Sequence, residues 1–94
     1  MIRTTGDKRT KQFLEGKRVK EFEQIEKQAW KRLRYLNQAK TLAEIANRPA
    51  NRFHWLKGNL KDFCAISINN QYRITVRWDS EQGDAYDVRI TDYR

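Results

Sequence analysis

The sequence is poor in residues that form covalent or metal cross-links, with one cysteine, one histidine and one proline among 94 residues. A single cysteine excludes an intramolecular disulfide, and it offers no cysteine cluster for a metal. Cys64 lies in the apolar run FCAISI. We therefore predict a buried, chemically inert thiol at this position.

Long apolar stretches are also absent. No segment approaches the ~18 consecutive apolar residues of a membrane span. The opening residues MIRTTGDKRTKQF lack the apolar stretch of a secretory signal. We expect a cytoplasmic protein with no membrane partner, folded as one domain over residues 1–94 with a modest core.

Acidic residues are the scarcer charge, since 20 Lys/Arg against 12 Asp/Glu give a net charge of +8. Residues 1–48 have 13 cations against 6 anions, whereas residues 49–94 have 7 against 6. A basic helical face suits a polyanion such as RNA or DNA. A charge run alone leaves a simple solvated surface as the alternative. The candidate RNA-binding cations of this half are Lys27, Lys31 and Arg34.

The N-terminal half has helical signals. Asp7 is a possible N-cap for a first helix that stops at Gly16. Apolar residues recur every three or four positions from Glu21 to Ala39, which predicts an amphipathic helix over that range. Thr41 to Glu44 fits a capping box for a short helix, which Pro49 ends.

After Pro49 the apolar period becomes two. RFHWLK, FCAISI, residues 72–78 and residues 86–90 read as strands joined by short turns, which predicts an antiparallel sheet. The stretch MIRTT is a possible edge strand. Helices followed by strands predict an α+β fold in which the helices pack on one sheet face.

The opposite sheet face is predicted to be exposed and cationic. It would present alternate residues of two strands, namely Arg73, Thr75, Arg77 and Arg89. Such a surface could hold RNA, with Arg77 and Arg89 as further binding cations. It has no aromatic motif of the RNA-recognition-module type.

The stretch HWLKGNLKDFCAISINNQYRITVRW, followed by GDAYDVRITDYR, resembles the HigB-type toxins of the RelE superfamily. That family typically reads His-x-Leu-Lys-Gly, an aromatic-x-Ile-Ser strand, Trp-Arg-Ile-Thr-Phe, Asp-Ala-Tyr and a terminal Asp-Tyr-His. The resemblance is close in the C-terminal half and extends to the helical half by element order and size. It implies a RelE-like fold with two main helices on a twisted antiparallel sheet.

The resemblance also implies a function and partners. Toxins of this kind belong to type II toxin–antitoxin pairs, enter the 70S ribosome and cut the mRNA held in its A site. The implied partner is a HigA-type helix-turn-helix antitoxin, through which alone the toxin would contact operator DNA.

Metal-free RNA cleavage needs a base for the 2′-OH, cations for the transition-state charge and an acid for the leaving 5′-oxygen. No cofactor is expected, because the sequence has no constellation typical of a metal site. The resemblance places the chemistry on His54 and Asp92 for proton transfer, on Lys57 and Arg73 for phosphate charge, and on Tyr93 for positioning or stacking.

Position 94 departs from the family, since Arg94 stands where histidine is usual. A guanidinium stabilises negative charge but does not shuttle protons. A non-catalytic member of the fold, which binds RNA, ribosome or antitoxin, is therefore the alternative to an endoribonuclease. A DNA-binding regulator is disfavoured because the sequence has no helix-turn-helix spacing.

Each candidate also has a structural alternative. His54 could be a structural or surface histidine, and Lys57 and Arg73 could be solubilising charges. Asp92 and Tyr93 could be a salt-bridged carboxylate and a packed ring.

Overall fold

A computed structural model describes residues 1–58 and 62–92 of the chain. Three helices precede four strands, which confirms the predicted α+β class. The elements are α1 (Lys8–Leu14), α2 (Glu26–Gln38), α3 (Leu42–Ala46), β1 (His54–Trp55), β2 (Phe63–Ser67), β3 (Tyr72–Asp79) and β4 (Asp84–Asp92). Two 3₁₀ turns, Lys20–Ile25 and Pro49–Asn51, precede α2 and β1. No helix of the described residues is long and apolar enough to cross a membrane.

The predicted helix over residues 21–39 is divided into two kinds of helix. Its first part, Lys20–Ile25, is a 3₁₀ turn, and regular α-helix begins at Glu26. The buried residues of the turn, Phe22 and Ile25, are three apart, which matches the three-residue period of a 3₁₀ helix. Ile25 has φ −116° and ψ 7°, so the α-helical hydrogen-bond ladder cannot run through it.

Both predicted N-terminal caps are present. The Asp7 carboxylate accepts a hydrogen bond from the Thr10 amide at 2.8 Å and starts α1. The Glu44 carboxylate accepts from the Lys40 amide at 2.7 Å and from the Thr41 amide at 3.5 Å, so it satisfies donors before α3.

The sheet is antiparallel, in the order β1-β2-β3-β4, so each strand pairs with the next along the chain. The predicted strand RFHWLK is wrong in length, because only His54 and Trp55 pair with β2. Arg52 has φ 46° and ψ 49°, a left-handed conformation that turns the chain and prevents an earlier start.

The N-terminal stretch lies beside β4 without forming a continuous strand. Ile2 and Thr5 make isolated parallel bridges to Ala85 and Val88. The buried Asp84 carboxylate binds the Arg3 Nε at 3.1 Å and the N-terminal ammonium at 3.5 Å. This segment therefore covers the β4 edge of the sheet, where backbone N–H and C=O groups would otherwise be unpaired.

The core lies between the helices and one face of the sheet. Alternate residues of the central strands face it, and the helices supply the opposing side; the main contributors are Phe13, Phe22, Leu33, Leu36, Ile45, Ile66, Ile74, Val76 and Val88. Cys64 belongs to this cluster and is fully buried, as predicted. Burial raises the pKa of its thiol to about 12, so the group is protonated at neutral pH.

The opposite sheet face is not uniformly exposed, which corrects one expectation. Thr75 is 6% exposed, and its cross-strand neighbour Ala65 is fully buried. The turn Pro49–Asn51 packs against β2, so the chain approaching β1 lies against the sheet. Of the residues predicted to be exposed on this face, Arg77 and Arg89 are exposed, whereas Arg73 is half-buried.

The turn between β3 and β4 gives a stability prediction. Gly83 has φ +69°, and a Cβ at this position would lie 2.6 Å from the Lys40 carbonyl oxygen. We expect Gly83→Ala to lower the free energy of unfolding by about 2–4 kcal/mol. Alanine is strained in the left-handed conformation, and the Lys40 carbonyl, as part of the backbone, cannot easily move away from the new Cβ. Urea unfolding measures the change.

Gly16→Ala is the matched control for that change. Gly16 has φ +85° but no neighbouring atom within 4 Å of a Cβ. It should cost only about 1 kcal/mol, from backbone strain alone. Equal losses in the two variants would show that the Lys40 contact contributes nothing.

Candidate functional site

A cavity of about 200 Å³ opens on the sheet face opposite the helices, lined by Arg52, His54, Ser67 and Arg73. Strand register brings three of these residues together. His54 pairs with Ala65 and Arg73 pairs with Ser67. Because Ala65 and Ser67 are two apart on β2, all of these side chains project from the same face.

Positively charged and polar side chains line the cavity. Its described lining offers two guanidinium groups, an imidazole and a hydroxyl, and contains no carboxylate. Guanidinium groups remain charged at any working pH and match the geometry of phosphate oxygens. The arrangement can therefore bind a phosphate and also offers one group capable of proton transfer, His54.

The surroundings of His54 indicate which of its ring nitrogens can serve as a base. Its Nδ1 lies 3.3 Å from the Arg52 carbonyl oxygen. A carbonyl oxygen only accepts hydrogen bonds, so in the neutral ring we infer that Nδ1 carries the proton. Nε2 then keeps its lone pair and can serve as a base.

Ser67 is fixed at the end of β2 from two sides. Its carbonyl oxygen accepts from Arg32 Nε on α2 at 3.1 Å, and its hydroxyl donates to the Asn69 carbonyl at 3.0 Å. The basic helix α2 thus helps to hold one wall of the cavity. Ser67 and Arg52 were not identified from the sequence, which gives no motif for either.

The other residues expected in the chemistry are less closely grouped. Lys57 is exposed beyond β1, before Gly58 with φ +71°, and is not among the described lining residues. Asp92 pairs across the sheet with Tyr72, whose ring packs on Phe22. Tyr93 and Arg94 lie outside the described residues.

Asp92 lines a separate groove of about 390 Å³ with Asp7, Phe22 and Tyr72. Its Oδ2 accepts a hydrogen bond from Gln71 Nε2 at 2.9 Å. Tyr72 and Phe22 belong to the helix side of the sheet, so the structure places this carboxylate on the side away from the cavity of His54 and Arg73.

The three predicted helical cations form one stripe. Lys27, Lys31 and Arg34 are exposed on α2 at spacings of four and three, which places them on one helix face. None of the three has a carboxylate within 4.0 Å among the described residues. We call these three residues the α2 stripe.

The two sheet cations differ from the stripe. Arg77 Nε lies 3.2 Å from Asp87 Oδ2, and its guanidinium lies over the Tyr86 ring. Arg89 is exposed but extends across Gly6, where even a Cβ would lie 2.1 Å from its Nε. Arg77 is thus partly neutralised, and Arg89 packs along the N-terminal segment.

Within residues 1–58 and 62–92, no three His, Cys, Asp or Glu side chains group as a possible metal site.

Comparison with known proteins now adds the decisive observation. A family model described as the RelE-like toxin HigB of type II toxin–antitoxin systems matches residues 4–93. The chain belongs to the HigB-like toxin family. Toxin HigB-1 of Vibrio cholerae serotype O1 (strain ATCC 39315 / El Tor Inaba N16961) is 39% identical over 54 residues. That match covers 57% of each protein.

The HigB-like match includes both halves of the chain. It extends through the helices, where the resemblance rested only on element order and size, and through the strands that hold His54 and Arg73. Its last matched residue is Tyr93, so Arg94 lies just beyond it.

Proposed function

We propose that this HigB-like toxin is a ribosome-dependent endoribonuclease that cuts mRNA in the ribosomal A site. The observation that carries the proposal is the cavity in which Arg52, Arg73 and His54 meet without a carboxylate among its described lining. A scissile phosphate fits the charge of this cavity, and a 2′-hydroxyl next to it fits the imidazole.

In the proposed reaction, His54 Nε2 removes the 2′-OH proton. The 2′-oxygen attacks phosphorus, the bond to the 5′-oxygen breaks, and a 2′,3′-cyclic phosphate forms. Arg73 stabilises the charge of the transition state, and Lys57 approaches from the loop after β1. The protonated His54 can then return its proton to the leaving 5′-oxygen, and Tyr93 stays our candidate for positioning that group. Asp92 was the other candidate for proton transfer, but its carboxylate lies on the helix side of the sheet and is given no step in this scheme. This scheme needs no metal ion.

The proposed partners follow from membership of the family. A toxin of a type II system is paired with a protein antitoxin, which we propose to be of the HigA helix-turn-helix type. Contact with operator DNA would then occur through that antitoxin. The other proposed partners are the 70S ribosome and the mRNA in its A site.

Primer extension on mRNA in defined ribosomal complexes tests the proposal. The toxin should produce cuts in the A-site codon, and the same mRNA without ribosomes should remain intact. Addition of the antitoxin should abolish the cuts. Ribosome binding without any cut would favour the second function, a binding-only member of the fold, which Arg94 motivates.

The α2 stripe gives a separate binding prediction. If it docks on ribosomal RNA, changing Lys27, Lys31 and Arg34 to glutamine should weaken 70S binding and reduce the slope of log affinity against log salt by roughly one unit per lost contact. Equilibrium binding at several salt concentrations measures both effects.

The control for this triple change removes three cations elsewhere on the described surface: Lys8, Lys20 and Lys40, all exposed and off α2. It lowers net charge equally but leaves the stripe intact. If both triple variants lose the same affinity, net charge and not the stripe governs docking.

A further inference from the structure

Arg52 has a backbone conformation that its side chain does not favour. It is left-handed with φ 46° and ψ 49°, at the end of the turn Pro49–Asn51. Its amide donates to the Pro49 carbonyl at 3.2 Å, which closes the turn. Glycine or asparagine suits this conformation better than arginine does. Strained backbone of this kind is concentrated at functional sites.

This backbone directs two groups of Arg52 to the same place. The side chain lines the cavity together with His54 and Arg73. The carbonyl oxygen lies 3.3 Å from His54 Nδ1. A right-handed or extended Arg52 would redirect both groups, because φ and ψ set the direction of the carbonyl and of the following strand.

No carboxylate of residues 1–58 and 62–92 compensates the charge of Arg52. Several arginines elsewhere have such partners, including Arg3 with Asp84 and Arg77 with Asp87, and Arg48 lies over the Tyr35 ring. Among the described residues, Arg52 has no ion pair within 4.0 Å. A second guanidinium, that of Arg73, lines the same cavity, so both side chains can attract an anion that binds there.

We propose that Arg52 is a further catalytic residue, whose guanidinium binds the scissile phosphate beside Arg73. Its left-handed backbone also holds the His54 ring with Nε2 free. The proposal rests on the proposed endoribonuclease function and adds a phosphate-binding group that lies before the His-x-x-Lys segment. It explains why arginine occupies a position where glycine would fold with less strain.

Three substitutions distinguish phosphate binding and His54 positioning by Arg52 from an effect on folding stability. Arg52→Gly keeps the left-handed backbone and removes the cation. Arg52→Gln removes the charge but keeps a long polar side chain. Arg52→Lys keeps the charge but lacks the paired N–H donors with which a guanidinium binds two phosphate oxygens. Lys40→Gln is the control, since it removes one exposed cation outside the site.

Single-turnover cleavage of A-site mRNA is measured over a range of toxin concentrations, with urea unfolding in parallel. We expect Arg52→Gly and Arg52→Gln to lower the maximal rate constant about 10- to 100-fold, as for the loss of a charged hydrogen bond. Arg52→Lys should retain more of the rate than Arg52→Gln. The unfolding midpoint of Arg52→Gly should stay the same or rise, and Lys40→Gln should match the unchanged protein in both assays.

Two results would overturn the proposal while leaving the endoribonuclease function intact: full-rate cleavage by Arg52→Gly, or equal losses in Arg52→Gln and Arg52→Lys. If the unchanged protein does not cleave, the proposed function fails. Arg52 is then judged by fluorescence anisotropy with a short single-stranded RNA at low salt. Loss of affinity in Arg52→Gln, but not in Lys40→Gln, would support its phosphate contact, and no loss would refute it.

Discussion

His54→Ala should lower the single-turnover rate of A-site mRNA cleavage about 10²–10⁴-fold, the usual contribution of a general acid or base. The stability of the fold should be unaffected, because His54 is exposed on a two-residue edge strand.

His54→Asn is the sharper control. Its side-chain nitrogen occupies the position of Nδ1 and can still donate to the Arg52 carbonyl, but the amide cannot transfer protons. It should therefore be as slow as His54→Ala. An asparagine variant that cleaves at full rate would assign His54 a positioning role and would move the base to another residue.

Arg94→His should have the second large effect, in the opposite direction. It restores a titratable group where the family usually has histidine, and such a group contributes ~10²–10⁴-fold when it lies next to the reacting atoms. Arginine supplies charge without titration. Primer extension and single-turnover kinetics should show faster cleavage, together with a new ionisation near pH ~6.5.

Arg94→Lys is the control for charge, because it keeps a cation and adds no group that titrates near neutrality. It should match the unchanged protein. If Arg94→His changes neither the rate nor the pH profile of an active toxin, position 94 takes no part in the chemistry. If both forms bind ribosomes without cutting, the binding-only function replaces the endoribonuclease.

The parts of the fold that were predictable are those in which periodicity and local chemistry agree. The nearly continuous apolar run of β2 and the alternation through β3 and β4 indicated these strands, and Asp7 and Glu44 marked the starts of α1 and α3. The 3₁₀ turn before α2 was missed because a spacing of three between Phe22 and Ile25 fits either kind of helix.

The site was less predictable, because backbone geometry decides it. Nothing in the sequence marks Arg52 as left-handed, and that one residue shortens β1 and brings a second guanidinium to the cavity. The burial of Thr75 depends on the path of the chain before β1. The groove in which Asp92 lies depends on its pairing with Tyr72, which no local pattern specifies.

The contact between the N-terminal segment and β4 determines when the fold can be completed. The Asp87 amide donates to Thr4 Oγ1, and the Ile90 amide donates to Thr10 Oγ1, across more than three quarters of the chain. During synthesis the first residues leave the ribosome well before β4 does. We expect residues 1–10 to stay unpaired until β4 has been synthesised. The contacts between these two distant parts of the described chain should therefore be the last to form.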